Sequence, residues 1–251
     1  MNRLPHPALA LLLVLAAPAA LAAPPTKRWQ ANPRESEIIS SAGFMSQHPD
    51  MRFRVLGLQA MKQEKYAAAA EHFRQAALYA DKQSQAAYAE MLWEGKGVAR
   101  DRPAAYAWMD LAAERGYTPF LAFRERYWEA LDEAERARAL QVGQAVYARY
   151  GDDVAKPRME RVLRHALRDT TGSRTGAMTG SLKIIIPGVA GEDVVINGSQ
   201  YYDPKFWRPE LYWVWQHEIV EGARKGRVEV GDLKPNAPAP KSGSRVPKKE
   251  P

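Results

Sequence analysis

The side chains able to do chemistry are few and scattered. The 251-residue chain carries five histidines (His6, His48, His72, His165 and His217) and no cysteine. Without thiols there is no disulfide, thiolate zinc site, iron–sulfur cluster, cysteine nucleophile or acylated cysteine anchor. His217-Glu218-x-x-Glu221 has the form of a zinc-protease helix whose second histidine is replaced by Glu221. One imidazole beside two carboxylates reads more simply as a surface cluster. Thr170 to Gly180 is glycine-rich but lacks the Gly-Lys-Ser/Thr of a phosphate loop, and reads as a linker. No G-x-S-x-G elbow, EF-hand loop, dinucleotide fingerprint or kinase set occurs. These absences point away from an enzyme, with no catalytic residue, metal ligand or cofactor assigned.

Aromatic side chains are the other chemically suggestive group. Tyr201, Tyr202, Phe206, Trp207, Tyr212, Trp213 and Trp215 crowd into one short stretch. They would serve either as a stacking platform for cell-wall glycan or as the core of a small unit that has few other large side chains to bury. The second reading is preferred. Around them the composition turns to strands: Leu182 to Ile186, Val194 to Ile196 and Ser199 to Tyr202, with Asn197-Gly198 as a hairpin turn between the last two. Pro209 to Gly222 reads as a helix aligning Leu211, Val214, Trp215 and Ile219, although Leu211, Trp213 and Trp215 also alternate as a strand would. Arg227 to Val230 reads as a closing strand.

Charge says little about partners until it is located. The net +7 includes Arg3 and a Pro-, Ser- and Lys-rich tail at 234–251, where Lys234, Lys241, Arg245, Lys248 and Lys249 face a lone Glu250. Such a tail has too little to bury to offset its ordering entropy. With most of the excess on the ends, nucleic acid is not an expected partner. Residues 1–22 read as a secretory signal: Arg3, an apolar run from Ala8 to Ala17, and Ala20-Leu21-Ala22 as a small-x-small cleavage site. The run is too short for a transmembrane anchor. Export to the bacterial periplasm or beyond follows, with 23–50 as an N-terminal linker.

Helical periodicity dominates from Met51 to Gly151, and it repeats. The clearest unit runs from Gln83 to Gly116. Tyr88, Met91 and Leu92 share a stripe, Gly95-Lys96-Gly97-Val98 breaks the helix, and Asp101 with Pro103 starts the next. Ala105, Trp108, Ala112 and Ala113 share the second stripe, and Gly116 ends it. A shift of 35 residues brings Ala105, Trp108 and Ala112 onto Ala70, Phe73 and Ala77, and carries Tyr88 and Leu92 onto Phe123 and Tyr127. Three helical hairpins are expected, near 52–80, 83–116 and 118–150. The helix after them, Val154 to Arg168, should cap the array through Met159, Val162, Leu163, Ala166 and Leu167, turning Arg158, Arg161, His165 and Arg168 outward.

The middle unit resembles a Sel1-like repeat, the longer-looped relative of the tetratricopeptide repeat. The residues carrying the likeness are Gly95, Gly97, Val98, Asp101, Ala105, Trp108, Ala112, Ala113 and Gly116; Tyr88, Ala89 and Leu92 depart from the pattern's Leu, Gly and Tyr. The resemblance implies a mostly α fold, a short α-solenoid, and scaffold or adaptor work on another protein, with no chemistry attached. In such a solenoid the first helix of each pair lines a concave face. There Gln83, Ala87, Glu90 and Glu94 are matched by Thr118, Ala122, Glu125 and Glu129 in the next unit. Gln83 and the four glutamates are the candidate binding residues, suited to the chain's own basic tail or to a partner's basic segment.

The expected organisation is therefore a signal at 1–22, a linker at 23–50, repeats at 51–151, a capping helix and linker at 152–180, an aromatic β-containing unit at 181–233 and a tail at 234–251. The expected function is a non-catalytic protein–protein interaction scaffold in the cell envelope; the alternative is a glycan-binding envelope protein using the C-terminal aromatics.

Overall fold

In the computed structural model the described residues are 34–171, 182–187 and 193–222. The signal reading, the glycine-rich stretch beyond Thr171, the closing strand at Arg227 to Val230 and the basic tail lie outside them. The fold is a short helical solenoid joined to a second core that contains one small sheet.

The repeats form where alanines and caps place them. The array comprises α1 (Glu35–Ser40), α2 (Ala42–Gln47), α3 (Pro49–Lys62), α4 (Tyr66–Ala77), α5 (Lys82–Glu94), α6 (Arg102–Ala113), α7 (Thr118–Ala130), α8 (Glu133–Tyr150) and α9 (Asp152–Thr171). Asp81 and Asp101 start α5 and α6 by accepting from the amides of Ser84 and Ala104 at 2.7 and 3.0 Å, satisfying donors that have no intrahelical partner. Asp132 and Glu135 make a reciprocal capping box at α8. Close approach requires glycine at Gly57 and Gly97 among other positions. At Gly57 a β-carbon would meet the Phe73 ring at 2.5 Å, so α3 and α4 cross there. Gly97 has φ +74°, and a β-carbon would lie 2.3 Å from the Tyr66 carbonyl carbon, so the α5–α6 loop rests on the start of α4.

Alanine-lined crossings make the solenoid core. Ala77, Ala89, Ala105 and Ala112 are fully buried, and Trp108 fills the space beside them, edge-on to Tyr88 at 4.7 Å and against Tyr150 at 4.5 Å. The first two pairs, α3–α4 and α5–α6, are hairpins as expected. The third is not: α7 and α8 each pack on α6 rather than on one another. The physical reason lies in α8, which buries only Ala139, Val146 and Tyr150 over its length. Gly143 faces Ala107 across the α6–α8 contact, where a β-carbon would sit at an ordinary 4.0 Å.

The second core corrects the expected organisation at both ends. The described part of the 23–50 segment is not a linker. It forms α1 and α2, whose Ile38 and Phe44 are fully buried in one cluster with Met159 and Leu163 of α9 and with Tyr201, Phe206, Trp207, Tyr212 and Trp215. Both helices are too short for an apolar period to register; Ser41, between them, caps α2.

In the C-terminal unit β1 (Lys183–Pro187) pairs antiparallel with β2 (Asp193–Asn197), Ile184 opposite Ile196 and Ile186 opposite Val194. Ile186 and Ile196 are buried, while Ile185 and Val195 point out. The Asn197-Gly198 hairpin does not form. Asn197 instead accepts from the Ser199 amide and starts α10 (Gly198–Tyr201). Asn is an N-cap as readily as a turn residue, and the strand already has β1 as its partner. Then come α11 (Pro204–Trp207) and α12 (Pro209–Gly222). Helix α12 turns Tyr212, Trp215 and Gln216 inward and leaves Leu211 and Val214 43% and 55% exposed, so the aligned face expected from Leu211 and Val214 is not the buried one.

Candidate functional site

The candidate acidic face divides in two. Glu90 and Glu94 lie exposed one turn apart on α5, beside Arg126 and Tyr127 of α7. Partial burial and then the Glu94 charge raise the Glu90 carboxyl above its ordinary value, with Arg126 opposing. The ring of Trp93 stacks flat on Tyr127 at 4.0 Å, with the Arg102 guanidinium 5.0 Å from its centre. Glu125 is held instead by its neighbour Arg124, which also reaches Asp110 of α6 at 3.5 Å. Glu129 is exposed and Gln83 half-buried. The structure thus brings Glu90 and Glu94 together and sets Glu125 toward α6.

The aromatic stretch is mostly core. Tyr201, Phe206, Trp207, Tyr212 and Trp215 are buried, and Trp207 donates from Nε1 to the Tyr201 carbonyl at 2.8 Å. A ring with no open face cannot stack a sugar. Half-buried Trp213 has its face toward the Arg115 guanidinium, 4.9 Å from the ring centre, and donates to Glu160 at 3.1 Å. His217 and Glu218 are exposed on α12, His217 stacking on Tyr117 at 5.4 Å. Among the described residues no three His, Asp or Glu side chains gather as metal ligands would.

Two buried polar clusters were not foreseen. At the junction of α5, α6 and α9, Lys82 Nζ donates to the Leu111 carbonyl (2.9 Å) and meets Glu114 (2.6 Å) and Asp152 (3.1 Å). Arg115 holds both Asp152 oxygens, at 2.7 and 2.9 Å. Burial would raise Asp152, but Arg115, Lys82 and Lys156 hold it well below the usual carboxylate range.

The other cluster joins α11 and α12 to α3. His48 is fully buried, stacked on Phe44 with ring centres 3.7 Å apart, and its Nδ1 and Nε2 lie 2.8 and 2.9 Å from the carbonyls of Phe44 and Phe206. A neutral imidazole has one N–H for these two acceptors. Burial nonetheless pushes its pKa down to about 4 against the pull of both carbonyls. Asp50 accepts a short hydrogen bond from Tyr212, while its Oδ1 has no hydrogen-bond partner among the described residues. Burial, and then the charge of Asp81, push Asp50 up to about 6. Arg54, on the same helix, pairs with Asp81 at 2.7 Å, so the cluster reaches the cap of α5. The sequence carried a faint signal: Pro49 marks a helix start between His48 and Asp50. Their burial depends on Phe206 and Tyr212, far along the chain.

No protein-family model matches the chain, and no curated protein does. Among solved structures, a protective antigen of uropathogenic Escherichia coli strains displaying an SLR fold is similar at 22% identity and a TM-score of 0.39. The likeness covers 55% of this chain and 28% of that one, so this chain spans under a third of the antigen's length.

Proposed function

We propose that this chain is a non-catalytic protein-interaction scaffold exported to the bacterial cell envelope, and that its repeats receive a basic segment of a partner protein on the face built by α5 and α7. The observation that carries the reading is the pair Glu90 and Glu94. Two exposed carboxylates lie one turn apart with Arg126 as the facing cation, beside the Trp93–Tyr127 stack. A Lys- or Arg-bearing segment would relieve their mutual repulsion. Each exposed pair contributes only ~0–1 kcal/mol, so useful affinity needs several such pairs along the bound segment.

The test is an in-cell crosslinking pull-down comparing the parent with Glu90→Lys/Glu94→Lys, both shown by thermal melts to be equally folded. The expected result is loss of the partner from the variant. Recovery of the same partner at the same yield refutes the reading.

A further inference from the structure

We propose that the outer face of α9 seats this protein on an anionic phospholipid surface. The two sides of this helix do separate work. Met159, Leu163 and Ala166 are fully buried in the second core, whereas Arg161, Arg164, His165 and Arg168 lie exposed on the opposite side. Their spacing places them in one row rising about 10 Å along the helix.

The other cations of α9 are spent on the fold. Lys156 pairs with Asp152 at 3.0 Å, and Arg158 donates to the carbonyls of Leu78 and Arg149 at 3.0 and 2.8 Å. The row keeps most of its charge. Glu160, at 3.5 Å from Arg164, is already engaged by Trp213, and His165 Nδ1 accepts from Arg168 at 3.3 Å. Arg161 has no hydrogen bond or ion pair among the described residues. Like charges at this spacing repel, so the row is stabilised by whatever anion covers it.

Three features select a phospholipid layer. All three permanent charges are guanidinium groups, whose planar forks match phosphate oxygens. The outer side of a helix is convex, and no large exposed apolar side chain lies among the arginines to anchor a peptide. Binding then depends on charge alone, which is weak at one site and effective on a surface of repeating phosphates. No described helix is long and apolar enough to cross a membrane.

The experiment is co-sedimentation of the full chain with vesicles of phosphatidylcholine alone or mixed with phosphatidylglycerol, at low and high salt. The expected result is binding to the mixed vesicles at low salt only. Arg161→Gln/Arg164→Gln/Arg168→Gln should reduce it about a hundredfold, roughly fivefold per arginine, with unchanged helix content. Lys241→Gln/Arg245→Gln/Lys248→Gln/Lys249→Gln should leave that difference in place. Equal binding by the parent and the arginine variant overturns the proposal. So does row-dependent capture by polyglutamate or RNA when the vesicles are ignored, which would assign the row to another polyanion.

Discussion

Replacing Asp50 or His48 should expose two opposed titrations that cancel in the parent. Asp50 is pushed up to about 6, from an ordinary value of 3.8. The folded chain therefore binds this proton about a hundredfold more tightly than the unfolded chain, a difference of about 3 kcal/mol. Stability from this group rises as pH falls from about 6 toward 3.8, because the folded state takes up the proton first. His48 moves the other way, from 6.5 down to about 4. As pH falls through that window the unfolded chain is protonated first, and about 3 kcal/mol of stability is lost. Between pH 6 and 4 the two nearly cancel. Asp50→Asn keeps an acceptor for Tyr212 and removes one titration, so its stability relative to the parent should fall by about 3 kcal/mol from pH 7 to pH 4. His48→Gln should show the opposite slope. Urea unfolding followed by tryptophan fluorescence at several pH values measures both, and taking each variant against the parent removes the contribution of Asp152 and the remaining carboxylates. If Asp50→Asn runs parallel to the parent from pH 7 to 4, the carboxyl is not held protonated by burial and the reasoning fails.

Three further outcomes follow from the geometry. Gly97→Ala should destabilise by about 2 kcal/mol or more in chemical denaturation, because positive φ and the Tyr66 backbone at 2.3 Å both oppose a β-carbon. Trp207→Ala should cost about 3–5 kcal/mol as a core cavity, read from the same curves; a fully stable variant that had lost only sugar affinity would contradict its burial. Asp152→Asn should cost about 3 kcal/mol at neutral pH by leaving Lys82 and Arg115 short of a charge partner, and the cost should shrink as pH falls below the ordinary carboxylate value.

The repeats were legible because their determinants are local. Asp101, Pro103, Ala105, Trp108 and Gly116 each act within a turn or two of their own position, as cap, first-turn proline, close-packing residue, gap-filler and terminator. The third pair escaped because α7 and α8 both turn to α6, and α8 buries too few side chains, Ala139, Val146 and Tyr150, for its own periodicity to show which neighbour it takes. The candidate acidic stripe was legible as spacing only. Arg124, one residue before Glu125, draws it toward Asp110, while Glu90 and Glu94 face Arg126. Direction around a helix is decided by the neighbour's side chains, and those come from another repeat.

By itself the sequence determined the α-solenoid, the turn after α5 and the apolar side of α9, because hydrophobic period, capping and glycine chemistry operate over a few residues. Only the tertiary structure decided that the segment around Ile38 and Phe44 closes on Phe206, Trp207 and Tyr212, and that His48 and Asp50 end up buried at that closure. These contacts join residues some 160 positions apart. Nothing local distinguishes a helix of six residues that fills a core from one that merely caps a chain.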